Sequence, residues 1–144
     1  MNKDDTVKLL ERVNEGIKMG VSCIDDVMGH VGSEKLTEML KDYRKTHGEL
    51  GNRTHEILNK LGETDKEPPA MAKMMSSMKT NMKLTAENTD AQVAEIVSDG
   101  CHTGTKALSK YLNEYSAADM RVRDIARELI DLETSMMQQL RAYL

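Results

Sequence analysis

Residues 33–62, SEKLTEMLKDYRKTHGELGNRTHEILNKLG, decide the fold class. Leu36, Leu40, Tyr43, His47, Leu50, Thr54, Ile57 and Leu61 recur at alternating steps of four and three, which a helix lines up as a single stripe. Ser33 has the side chain of an N-cap, and Gly62 can take the left-handed conformation that stops a helix. The spacing therefore predicts a helix over residues 34–61, about 40 Å long at 1.5 Å per residue.

Working outward, the preceding segment repeats the pattern. Val7, Leu10, Val13, Ile17, Val21, Ile24, Met28 and Val31 share one face of a helix expected over residues 4–31. Gly32 is expected to end it in a left-handed C′ conformation. With so short a hinge, the two helices must fold back antiparallel. Beyond Gly62, Glu63–Pro69 reads as an extended connector, because its consecutive prolines cannot continue a helix. Pro69 can open a short helix over residues 70–84, with Met71, Met74, Met75, Met78 and Met82 on one side. Thr89 with Gln92 has capping-box spacing and begins a helix over 89–115. Ser116 then caps a last helix over 117–143, whose face is Val122, Ile125, Leu129, Leu132, Met136, Leu140 and Tyr143.

Composition agrees with an all-α chain. There is no Phe or Trp among the 144 residues, but there are 12 Met. That disfavours a sheet, and Met fills irregular helical interfaces. A net charge of −4 with interspersed signs offers no basic surface for nucleic acid. No segment is apolar for long enough to span a membrane, and the acidic start with Asp4 and Asp5 lacks a signal-peptide core. A cytoplasmic location is expected, with Cys23 and Cys101 as reduced thiols.

Val13-Asn14-Glu15-Gly16 is followed by Gly20, and Val97-Ser98-Asp99-Gly100 is followed by Gly104. Both read V-x-[acid]-G-x-x-x-G with one offset (97 − 13 = 84; 104 − 20 = 84). Gly32 and Ser116 share that offset, so two hairpins built alike are expected. The connector and short helix are together long enough to return the chain along the bundle. A long crossover is therefore favoured over an up-down-up-down bundle.

This pattern resembles the ferritin-like superfamily, most closely the small bacterial ferritin-like proteins of unassigned function. The resemblance rests on Glu15-Gly16 in the first helix, on Met82-Lys83-Leu84 and Asp90 at the entry to the second hairpin, and on Asp99-Gly100 in the third helix. It covers nearly the whole chain and implies a ferritin-like four-helix bundle of two antiparallel helical hairpins with a short crossover helix. Metal-binding members of that superfamily carry Glu-x-x-His on two helices. Here Val27, Arg44, Asn52 and Asp99 stand three residues before the four histidines, so the resemblance implies the scaffold without the usual di-iron ligands.

Three residues remain as candidates for a metal. His47 lies on the apolar stripe near the middle of its helix, Glu133 falls at a comparable depth in the last helix, and Cys101 lies near that level in the third. Zinc accepts all three ligand types. The alternative is a buried His–Glu hydrogen bond that satisfies both side chains. The Met71–Met82 stripe could hold Cu(I), dock a partner, or simply pack across the bundle. Gly16, Gly20, Gly100 and Gly104 each cost about 1 kcal/mol inside a helix relative to Ala. Close helix contact is the favoured compensation, and a small-molecule cavity is the other. No nucleophile–base pair, phosphate loop or nucleotide fingerprint is present. The leading expectation is a non-enzymatic protein with no cofactor, acting through protein contacts or homo-oligomerisation. A metal-binding or metal-dependent redox protein is the alternative, and a carrier of small ligands using the Met-lined region is the third reading.

Overall fold

The computed structural model describes residues 2–63 and 89–144, and among them the chain is helical with no strand. Helix α1 spans Lys3–Met28, α2 Glu34–Lys60, α3 Thr89–Glu114 and α4 Met120–Leu140, followed by a 3-10 turn, Arg141–Tyr143. The expected helix over residues 70–84 and its Met71–Met82 stripe lie outside the described residues. None of the described helices is long and apolar enough to cross a membrane.

The stripes read from sequence are the buried faces. Leu10, Val13, Ile17, Val21 and Ile24 of α1 are fully buried, as are Leu36 and Leu40 of α2 and Val122, Leu129 and Leu140 of α4. Leu58 displaces Ile57 and Leu61 from the deepest positions at the end of α2, because a straight helix drifts away from a strict seven-residue repeat. The Ser33 hydroxyl accepts from Leu36 N as expected, and Gly62 ends α2 with φ +78°.

Three helix ends differ from expectation: α4 gives way to the 3-10 turn after Leu140, and the other two differences have long-range causes. Helix α1 stops at Met28 rather than near Val31, and Gly32 does not take a positive φ. Instead, the Gly32 and Ser33 amides donate to the Asp90 carboxylate at 2.7 and 3.1 Å, and Val31 packs against the core. Helix α4 begins at Met120 with Asp119 as its N-cap, whose side chain accepts from Arg121 N, so Ser116 does not cap it. The turn before α4 is held from α1: Asn2 N donates to Ala117 O, Ala117 N to the Asp5 carboxylate, and Asp119 N to the Thr6 hydroxyl.

Each hairpin turn is thus gripped by an acid in the first turn of the other hairpin. Asp90→Ala is expected to lower stability by about 1–3 kcal/mol through loss of two charge-assisted bonds to the α1–α2 turn. Chemical denaturation would measure it, with faster amide exchange at Gly32 and Ser33 as the local signature.

The same contacts orient the helices. The start of α1 meets the α3–α4 turn, while the α1–α2 turn meets the start of α3. Helices α1 and α3 therefore run antiparallel, α2 and α3 run parallel, and the end of α2 lies at the opposite end of the bundle from the start of α3. The Arg44–Asp25 pair, at 2.6 and 3.1 Å, braces α1 against α2.

The core has two apolar halves. One gathers Leu9, Leu10, Val13, Ile17, Leu50, Leu108, Ile125 and Leu129, and the other Ile24, Leu36, Leu40, Tyr43, Val93, Val97 and Met136. The seam between them falls at Gly20–Cys23, His47, Cys101–Gly104 and Glu133, and there the interior turns polar.

Candidate functional site

His47 follows Tyr43 by one helical turn, and its Nδ1 lies 2.7 Å from the Tyr43 carbonyl oxygen. A carbonyl only accepts, so Nδ1 carries the proton and Nε2 of the neutral ring presents a lone pair. The ring is 1% exposed. Glu133, projected from α4 at the same level and 5% exposed, places Oε1 3.8 Å from that Nε2. This separation is too long for a hydrogen bond. The bond expected to satisfy both side chains is therefore not made: His47 Nε2 and Glu133 Oε2 are buried without a hydrogen-bond partner. Burial pushes the Glu133 carboxyl above its ordinary value, opposed in part by the neighbouring imidazole.

Both residues line a cleft of about 360 Å³ between α1 and α3, within the range of small-molecule sites. All four helix-interior glycines of the echoed motif line it. They act in pairs. A Cβ on Gly20 would lie 2.7 Å from His47 Nε2, and one on Gly104 would lie 2.6 Å from Glu133 Oε2. The last glycine of each echo thus makes room for the buried polar residue on the next helix. Gly16 and Gly100 are different. A Cβ there would come no closer than 3.5 Å to Leu129 and 3.8 Å to Cys23, so these positions line the cleft in ordinary contact and not a tight one. Contact too close for a Cβ is therefore made at two of the four glycines, by the side chains of His47 and Glu133, and all four line the cleft. Met19, 51% exposed, stands at the rim.

Cys101 is buried beside the pair and contacts Met136, its Sγ 4.0 Å from Sδ. Burial, reinforced by Glu133 and Cys23, drives its thiol pKa well up. Cys23, on the facing helix, is pushed up to about 11 by burial, with Asp26 and Glu133 adding to it. Both thiols are thus protonated and poorly nucleophilic near neutrality. His47, Cys101 and Glu133 line one cleft as the sequence suggested, but among the described residues no three His, Cys, Asp or Glu side chains are grouped to hold a metal ion. Asp99 and His102 are exposed.

The sequence carried a signal for the cleft in the two V-x-[acid]-G-x-x-x-G stretches, but nothing local said which side chains the glycines would face. The chain matches no family model, no curated protein and no solved structure.

Proposed function

We propose that this chain is a ferritin-like helical bundle that binds a small molecule between α1 and α3, at the level where the metal-holding members of that superfamily keep their ions. The antiparallel hairpins, their reciprocal clasps and the 84-residue echo support the scaffold reading. The observation that carries the ligand reading is the pair of orphaned buried atoms, His47 Nε2 and Glu133 Oε2, on residues that line a largely apolar cleft. Leaving such atoms unpaired costs about 1–3 kcal/mol each, which an occupant supplying hydrogen bonds would recover.

The test fills the cleft. Gly100→Leu adds bulk to the cleft lining at a position where the first added carbon meets nothing closer than Cys23 Sγ at 3.8 Å, and removing a helix-interior glycine raises helix propensity by up to about 1 kcal/mol. The variant should melt at or above the wild-type temperature. It should lose the binding seen by ligand-observed NMR with a panel of compact apolar alcohols and amines. Unchanged binding in Gly100→Leu, or no binding by wild-type protein, would count against the reading.

A second reading, an atypical metal site, draws on the presence of His47, Glu133, Cys101 and Cys23 around one cavity. Stoichiometric zinc, iron or copper in protein purified without added ions, lost in His47→Leu and Glu133→Leu variants, would establish it. The expected role through protein contacts or self-association has less support. Among the described residues the large exposed apolar side chains are Met19, Met120 and Leu144. The first stands at the cleft rim and the others at opposite ends of α4, so they form no continuous face.

A further inference from the structure

Resting on that ligand-binding reading, we propose that the cleft takes a compact molecule with an apolar body and a protonated amine, whose N–H groups are received by His47 Nε2 and the Glu133 carboxylate. The tautomer decides the first half of this. His47 Nδ1–H is committed to the Tyr43 carbonyl, so Nε2 can only accept while the ring is neutral. Ionised Glu133 also only accepts. Both residues line the cleft, and no protein donor answers either acceptor. An ammonium offers three donors and no acceptor, whereas an alcohol offers one donor for two sites and a carboxylate offers none.

Charge decides the second half. The cleft is bordered by Arg12 and Glu15 on α1, Asp99 on α3 and Glu133 on α4, with Cys23, His47, Cys101 and Tyr111 as the other titratable groups. Arg12 is already balanced: its guanidinium lies 3.1 Å from Glu15 and 5.3 Å from the Tyr111 ring centre. Asp99 and Glu133 remain, so the field in the cleft favours a cation. Glu133 is deeply buried, and a buried carboxylate without a full partner is costly; a bound ammonium supplies that partner and holds the carboxylate ionised. The remaining lining is largely apolar, including Met19, Ile96, Ala107 and Leu108, and receives the body of the molecule.

Titration calorimetry with cyclohexylmethylammonium and its neutral match, cyclohexylmethanol, tests this on the intact protein. The ammonium should bind at least tenfold more tightly near neutral pH. Its affinity should fall as pH drops and Glu133 takes up a proton, a readout that needs no variant. In E133Q the tenfold advantage of the amine over the alcohol should be lost. Equal affinities, or a preference for the alcohol, would overturn the amine assignment and leave the cleft as a ligand site. Failure of both molecules to bind would overturn the assignment together with the ligand reading. Zinc binding that displaces the amine with coordination by His47 and Glu133 would replace both by the metal reading.

Discussion

Gly20→Ala is expected to destabilise the protein by about 1–3 kcal/mol, the opposite of what the exchange does in an ordinary helix. The added methyl would stand 2.7 Å from His47 Nε2 and 2.8 Å from Cδ2. That ring cannot step aside easily, because it is fully enclosed and anchored by its bond to Tyr43 O. Gly100→Ala meets nothing closer than Cys23 Sγ at 3.8 Å and should gain about 0.5–1 kcal/mol from helix propensity alone. Gly104→Ala should fall between them. Its clash is with the end of the Glu133 side chain, which has torsions to spare, although turning it away moves the carboxylate out of place. Urea midpoints for the three variants, compared at constant slope, would measure the order. If all three alanines stabilised alike, the role assigned to Gly20 and Gly104 would be wrong.

The second large effect concerns the polar pair itself. His47→Leu should cost about 1–3 kcal/mol, because it removes the imidazole that opposes the desolvation of Glu133, a buried carboxyl whose Oε2 already lacks a hydrogen-bond partner. The double variant His47→Leu, Glu133→Leu removes both polar groups and should be more stable than wild type by about 1–3 kcal/mol. The pH dependence follows from the same group. The folded-state pKa of Glu133 lies above its ordinary 4.5, so the folded protein binds this proton more readily than the unfolded chain. Its contribution to stability is complete below the ordinary value and is lost as pH rises through the raised one. That downward slope should be present in wild type and absent from the double variant in denaturation curves taken across the acid range. Such a protein would be giving up stability to keep two hydrogen-bonding atoms in its interior, as a binding site requires.

Much of this architecture was legible in the sequence because its causes are local. The 3.6-residue period of Val13, Ile17, Val21 and Ile24, the Ser33 cap and the Gly62 stop each act within a turn or two of helix. The meeting of His47 with Glu133 was legible too, because equal depth from the two hinges places residues at one level. The early end of α1 and the late start of α4 were not, since each depends on a partner far away in sequence: Asp90 for Gly32 and Ser33, and Asp5 with Thr6 for Ala117 and Asp119. The glycine echo stood out as a pattern, but its purpose did not. Whether a glycine admits a neighbouring helix, a side chain or a ligand depends on what faces it, and only the folded geometry shows His47 pressed over Gly20 and ordinary contact at Gly16 and Gly100.

The amide spectrum of the glycines gives the most direct measurement of the central claim, that the two echoed motifs enclose a ligand site. Glycine amides resonate apart from most others, so Gly16, Gly20, Gly100 and Gly104 can be followed together while cyclohexylmethylammonium is added to labelled protein. The account expects these four to shift in step along one saturable curve, with Gly29 and Gly62 at the bundle ends unmoved. Shifts confined to the ends, or spread evenly without saturation, would contradict it.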